Sequence, residues 1–96
     1  MERINENICR MTCSYKTIFT TVWTIRTPEG VILLDAASYD NDAVDHILPF
    51  LEEAGVAKEE VRYVFISHKH TDHAGGLGGL LKELPNVVVV SRSDEL

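Results

Sequence analysis

The sequence predicts an α/β fold: a mixed sheet with flanking helices. Runs rich in β-branched and aromatic residues recur along the chain as "IFTTVWTIR", "VILLD", "VRYVFIS" and "NVVVVS". Between the later runs lie two stretches, 42–54 and 77–84, whose apolar residues repeat at helical spacing. The first two runs are separated only by "TPEG", which makes them a hairpin. Strands alternating with helices over short connections indicate an α/β layer structure, and the hairpin makes its sheet mixed instead of purely parallel.

Each element has its own warrant. Asn7 to Thr12 is expected to add a further strand. Ile18–Arg26 and Val31–Asp35 form the hairpin, with Pro28 at an early turn position and Gly30 where φ is positive. From Asp42 to Ala54, Val44, Ile47, Leu48, Leu51 and Ala54 form an amphipathic stripe. Asp40 or Asn41 caps this helix, Gly55 ends it, and Pro49 in its interior predicts a kink. The run beginning at Val61 is apolar except for Arg62, as in a strand covered on both faces. Leu77, Leu80, Leu81 and Leu84 predict a second helix closed by Pro85, and 86–91 a last strand. Ser91 to Leu96 reads as the cap and first turn of another helix.

Composition narrows the class. The chain has 96 residues, 45% of them hydrophobic and 25% charged, and contains neither an internal repeat nor a Gly/Ser linker, so it reads as one continuous piece of fold. A chain this short buries roughly two-thirds of its unfolded surface, so metal or a partner would add materially to its stability. The net charge of −6 is scattered, which argues against nucleic acid or an anionic membrane as partner. No apolar run approaches the roughly 20 residues of a membrane span, and "MERINENICRMTC" lacks the apolar region of a secretory signal. A cytoplasmic location is expected. In a reducing compartment Cys9 and Cys13, though four apart, read as ordinary thiols. His46, on the first helix, reads as a surface or interface residue.

The stretch "SHKHTDHAGG" carries the chemistry. His68, His70, Asp72 and His73 follow directly on a buried strand. Imidazole nitrogen and carboxylate oxygen both suit zinc, whose catalytic sites commonly use three protein ligands and leave a position open. Four candidates within six residues exceed what one compact site takes from a single loop, which points to two ions. His68 and His70 then serve one, Asp72 and His73 the other. Gly75 and Gly76 let the backbone pass close to the cluster as the next helix begins.

His68-Lys69-His70-Thr71-Asp72-His73 is an H-x-H-x-D-H motif, and with Gly75-Gly76 after it the chain resembles the metallo-β-lactamase fold superfamily. A hairpin ending in "LLDAAS", a helix, an acidic turn and "VRYVFISH" follow that family's order. The resemblance implies an αββα sandwich of which residues 1–96 are the N-terminal portion, the second half being absent. It implies hydrolysis, in which zinc-bound hydroxide attacks an ester, thioester, lactam or phosphodiester of a small-molecule substrate, with zinc as cofactor and two ions in the complete domain. Asp72 then holds the attacking water and one metal, while Asp35 supports the site from behind without being a ligand. Histidine at position 70 favours the zinc hydrolases over the di-iron branch, where a glutamate is common. The family's D-T-G or D-G-G stands here as Asp35-Ala36-Ala37.

A further histidine, a bridging aspartate and a final histidine belong to the family's second half, and no histidine follows His73 here. The isolated chain is therefore expected to be inactive. Leu33, Val64, Ile66 and Val87–Val90 are expected to line an uncovered sheet face and drive self-association. Trp23, Tyr15 and Phe19 either border the substrate cleft or pack as ordinary strand residues. The alternatives to an enzyme are a non-catalytic metal-binding or self-associating module and a solvated polar loop without metal.

Overall fold

The fold is taken from a computed structural model describing residues 1–15, 18–37, 39, 41–66 and 76–90, with the backbone alone for Tyr15 and Ile18. Six strands form one sheet in sequence order: β1 (Glu2–Arg3), β2 (Ile8–Tyr15), β3 (Ile18–Thr27), β4 (Gly30–Leu34), β5 (Val61–Phe65) and β6 (Val88–Val90). Pairs from β1 to β4 are antiparallel, and β4–β5 and β5–β6 are parallel. The expected mixed α/β sheet is present, with β1 added and β2 running three residues past Thr12.

The hairpin closes where expected. Thr27 pairs with Gly30, and the Thr27 hydroxyl donates to the Gly30 carbonyl at 2.7 Å while accepting the Glu29 N–H at 3.2 Å. Gly30 has φ +128°, and a Cβ there would run into the Arg62 side chain and lie 3.1 Å from the Glu60 carbonyl. The same end of β3 is held by Arg26, which donates to Glu60 at 3.0 Å. That bond, after one from the Ala57 N–H, keeps the Glu60 carboxyl below its ordinary pKa.

The first helix departs from a single kinked stripe. A π-helical segment, Ala43–Ile47, runs into α1, Leu48–Glu53. The Leu48 N–H donates to the Ala43 carbonyl, five residues back, so the turn is wide. The α-helix then begins afresh with Pro49 in its first turn, where a missing N–H leaves no bond unmade. The wide turn also rotates the buried face: Ala43, Ile47, Phe50, Leu51 and Ala54 are buried, and Val44 is 57% exposed. Asn41 does not cap; its side-chain amide donates to Asp45 at 2.9 Å. Asp42 holds the N-cap position without a side-chain cap bond and accepts the Tyr39 N–H at 3.0 Å. Asp40 and 91–96 lie outside the described residues. The second helix, α2, is Leu77–Glu83.

Both helical segments pack on one face of the sheet, where Val22, Val31, Leu33, Val61 and Val64 meet Ile47, Leu51 and Leu80, all buried. The opposite face exposes Phe19, Tyr63, Phe65, Val88 and Val90. This corrects the expected parity: Leu33, Val64 and Ile66 are buried beneath the helices, and of the 87–90 run only Val88 and Val90 stand free. β4 and β5 are apolar on both parities, so alternation does not say which set the helices cover. It also corrects the expectation that β5 is covered on both faces. Cys9 and Cys13 are buried free thiols on the same side of β2. Four residues of strand place them about 13 Å apart, beyond disulfide reach. Among the described residues no helix is long and apolar enough to cross a membrane.

Candidate metal centre

The parallel strands β4, β5 and β6 all end at one edge of the sheet, the edge where open α/β sheets place their ligands. His68, His70, Asp72, His73 and Gly75 fall within 67–75, outside the described residues. The structure describes the two places where that segment joins the fold. At one, Ile66 follows β5 and its N–H donates to the Val90 carbonyl at 3.0 Å. At the other, Gly76 leads into α2.

Asp35 stands at the same edge, directly after β4. It is 5% exposed, and its N–H donates to the Phe65 carbonyl at 2.7 Å. Asp35 has φ +68° and Ala37 φ +61°, both left-handed. Aspartate enters that region with some ease; alanine does so against the clash of its Cβ with the carbonyl. Ala37 thus keeps, without glycine, the left-handed backbone that a D-x-G sequence would take freely. Gly76 packs against this turn. Its N–H donates to the Ala37 carbonyl at 3.3 Å, and a Cβ on it would collide with the Ala36 carbonyl and lie 3.0 Å from that of Tyr39. Gly76 thus approaches Ala36, Ala37 and Tyr39 closely; its expected approach to the histidine cluster falls on residues outside the described ones.

Asp42 is a buried carboxylate that sequence reasoning passed over, since an acid before a helix reads as a surface cap. Burial, and then the Asp42 charge, pushes the Cys13 thiol from 9.0 up to about 11. His46 is exposed, with Nε2 3.8 Å from an Asp42 oxygen. Among the described residues no three His, Cys, Asp or Glu side chains gather as a metal site. Trp23 is half-buried with the Arg10 guanidinium 5.3 Å from its ring centroid, and Phe19 is 72% exposed on the bare face. Phe19 is thus not packed as an ordinary strand residue, while the Tyr15 side chain is outside the description.

The sequence model of the metallo-beta-lactamase superfamily matches residues 16–96, a span that includes the whole histidine-rich segment. The chain belongs to this superfamily. Recombination protein 2 of Haemophilus influenzae is 40% identical over 71 residues, which are 72% of this chain and 9% of that protein. A probable hydroxyacylglutathione hydrolase of Schizosaccharomyces pombe is 34% identical over 61 residues, 62% of this chain and 24% of the relative. Among solved structures, a metallo-beta-lactamase of Cronobacter sakazakii with a HARLDQ motif is 30% identical at TM-score 0.69, over 79% of this chain and 26% of that one. The Pseudomonas aeruginosa metallo-beta-lactamase FIM-1, solved in a mono-zinc form, shares the fold at 17% identity and TM-score 0.72, over 98% of this chain and 42% of its own. The chain thus spans less than half the length of each of these superfamily relatives.

Proposed function

We propose that this chain carries the first metal-ligand loop of a zinc-dependent hydrolase acting on a small-molecule ester, thioester, lactam or phosphodiester. The observation that carries the reading is the superfamily match across His68–His73. The donor set supports it, since three imidazoles and a carboxylate are what zinc takes in hydrolytic sites. His68 and His70 would hold one ion, Asp72 and His73 a second. Zinc, when bound, brings the pKa of water down to about 7 and polarises the attacked carbonyl or phosphoryl group.

The chain's own residues have separate tasks. The Asp72 carboxylate accepts a hydrogen bond from the attacking water and orients it. Asp35, buried at the same sheet edge, backs the loop without being a ligand. Residues 1–96 form the N-terminal portion of the domain, and the remaining ligands lie outside this sequence. Two protein ligands per ion leave coordination to solvent, so the isolated chain binds metal but turns over little. Its location is cytoplasmic, and neither nucleic acid nor membrane is its partner.

The bare apolar face favours a second reading, a non-catalytic metal-binding module that self-associates through Tyr63, Phe65 and their neighbours. Native mass spectrometry after zinc loading tests the metal: the unmodified chain retains zinc, and His70→Ala loses most of it. A chain that retains none refutes both readings. Hydrolysis of a lactam, thioester and phosphodiester panel by the complete domain, lost in its His70→Ala variant, separates enzyme from module; a complete domain that hydrolyses none of them favours the module.

A further inference from the structure

We propose that Met1, Met11 and His46 form a metal site that uses none of the histidine-rich segment and takes a soft monovalent cation, copper(I), through two thioether sulfurs and an imidazole. The chain has two methionines, and the sheet brings them together. Glu2 pairs with Arg10 and Arg3 with Cys9. One residue further along this antiparallel register Met1 stands opposite Met11, the spacing at which facing side chains interact. Both line one cavity of about 250 Å³. Its other wall is the first helical stretch, which contributes His46, Phe50 and the carboxylates of Asp45 and Glu53.

The donor set selects the ion. Thioethers are neutral and polarisable and suit copper(I), whereas zinc, calcium and magnesium take imidazole, thiolate or oxygen. An imidazole added to two sulfurs makes three neutral donors, and the carboxylates beside them offset the ion's charge without having to bind it. Two of the donors are already held in place. The Met1 ammonium lies 3.3 Å from a Glu53 oxygen, and the next residue, Glu2, accepts from the Arg10 guanidinium at 2.6 Å. Met11 is half-buried and packs against the core. The third donor can turn: His46 is exposed, and its Nε2 stands 3.8 Å from an Asp42 oxygen, farther than a hydrogen bond reaches. A fixed sulfur pair with an imidazole at its solvent side gives the ion a way in and a ligand to close over it.

The two methionines also supply the readout, since each methyl group gives its own resonance. Copper(I), added anaerobically with ascorbate to the full chain labelled at its methionine methyl carbons, should move both resonances along one binding curve. Zinc should move neither. Met11→Leu, nearly neutral in volume, and His46→Gln, an exposed change, should each leave the circular dichroism of the metal-free chain as it is. Each should weaken copper(I) binding at the Met1 methyl, read in competition with a copper(I) chelator, by at least about tenfold, the loss common even when an outer group is removed from a metal site. If Met11→Leu does not fold, His46→Gln still decides. Copper(I) taken up with both methyl resonances unmoved would put the ion on Cys9, Cys13 or the histidine-rich segment and overturn the proposal. So would no uptake at all, an intact mass lacking Met1, or shifts with zinc equal to those with copper(I). An affinity unchanged in a folded variant would leave the methionines as packing and overturn it equally.

Discussion

On one face of the sheet Val22, Val31, Leu33, Val61 and Val64 are screened from solvent by two helical segments; on the other, Phe19, Tyr63, Phe65, Val88 and Val90 remain open to it. In the sequence the two sets look alike; within β4 they alternate residue by residue, and in β5 Arg62 and Tyr63 are both exposed between buried Val61 and Val64, where the pairing with β4 slips by one residue. The difference arises from the crossovers: both β4-to-β5 and β5-to-β6 connections carry their helices over the same face, leaving the other without a cover among the described residues. The bare face keeps an apolar centre in which Tyr63 and Phe65 meet edge to face at 6.4 Å. On it Arg10 is neutralised by Glu2 and spread over Trp23. A sheet apolar on both faces is suited to cover on both.

Substitutions on the two faces sharpen that contrast. Leu33→Ala, wholly buried, should cost about 2–5 kcal/mol, enough to unfold much of a small chain, whereas its neighbour Ile32→Ala on the open side should cost under about 1 kcal/mol. Urea denaturation of the pair measures this; equal costs would mean that the second face is covered as well. The next largest effect is a pH dependence from the covered face. The Cys13 thiol is held at about 11 against 9.0 in the unfolded chain. The unfolded state therefore ionises first, and stability fully present below pH 9 should drain away as pH rises toward 11, by on the order of 2 kcal/mol. Urea midpoints between pH 8 and 11 should fall more steeply for the unmodified chain than for Cys13→Ala.

Smaller effects follow at the hairpin and on the open side. Gly30→Ala should cost about 1–2 kcal/mol, because its φ of +128° and the Arg62 side chain both oppose a Cβ. The double variant Phe19→Lys with Val88→Lys should leave stability within about 0.5 kcal/mol but shift sedimentation toward monomer. A monodisperse monomer of the unmodified chain at micromolar concentration would remove the self-association reading.

The hairpin, β5 and α2 were legible because Pro28, Gly30, the apolar run from Val61 and the leucine spacing each act locally. What was not legible was set by tertiary packing. Parity in β4 and β5 depends on which side the crossovers pass, and the exposure of Val44 depends on a π turn opened ahead of Pro49. Cys9 and Cys13 sit near one another in sequence, yet an extended strand holds them apart. At the candidate site the motif was legible in full as residue types, and the structure adds what lies beside the described ends of that segment: the buried Asp35, the left-handed Ala37 and the crowded Gly76. Ala37 stood out only by replacing the glycine of the family pattern, and nothing about an alanine itself signals φ of +61°.

The strand order β1-β2-β3-β4-β5-β6 also bears on how the chain assembles during synthesis. Every strand pairs with the one made just before it, so the sheet can grow vectorially as residues leave the ribosome, with only short searches at each step. The helices can close one side as soon as their crossovers are made. The aromatic side gains no such cover from them, so throughout synthesis it stays open to other apolar surface.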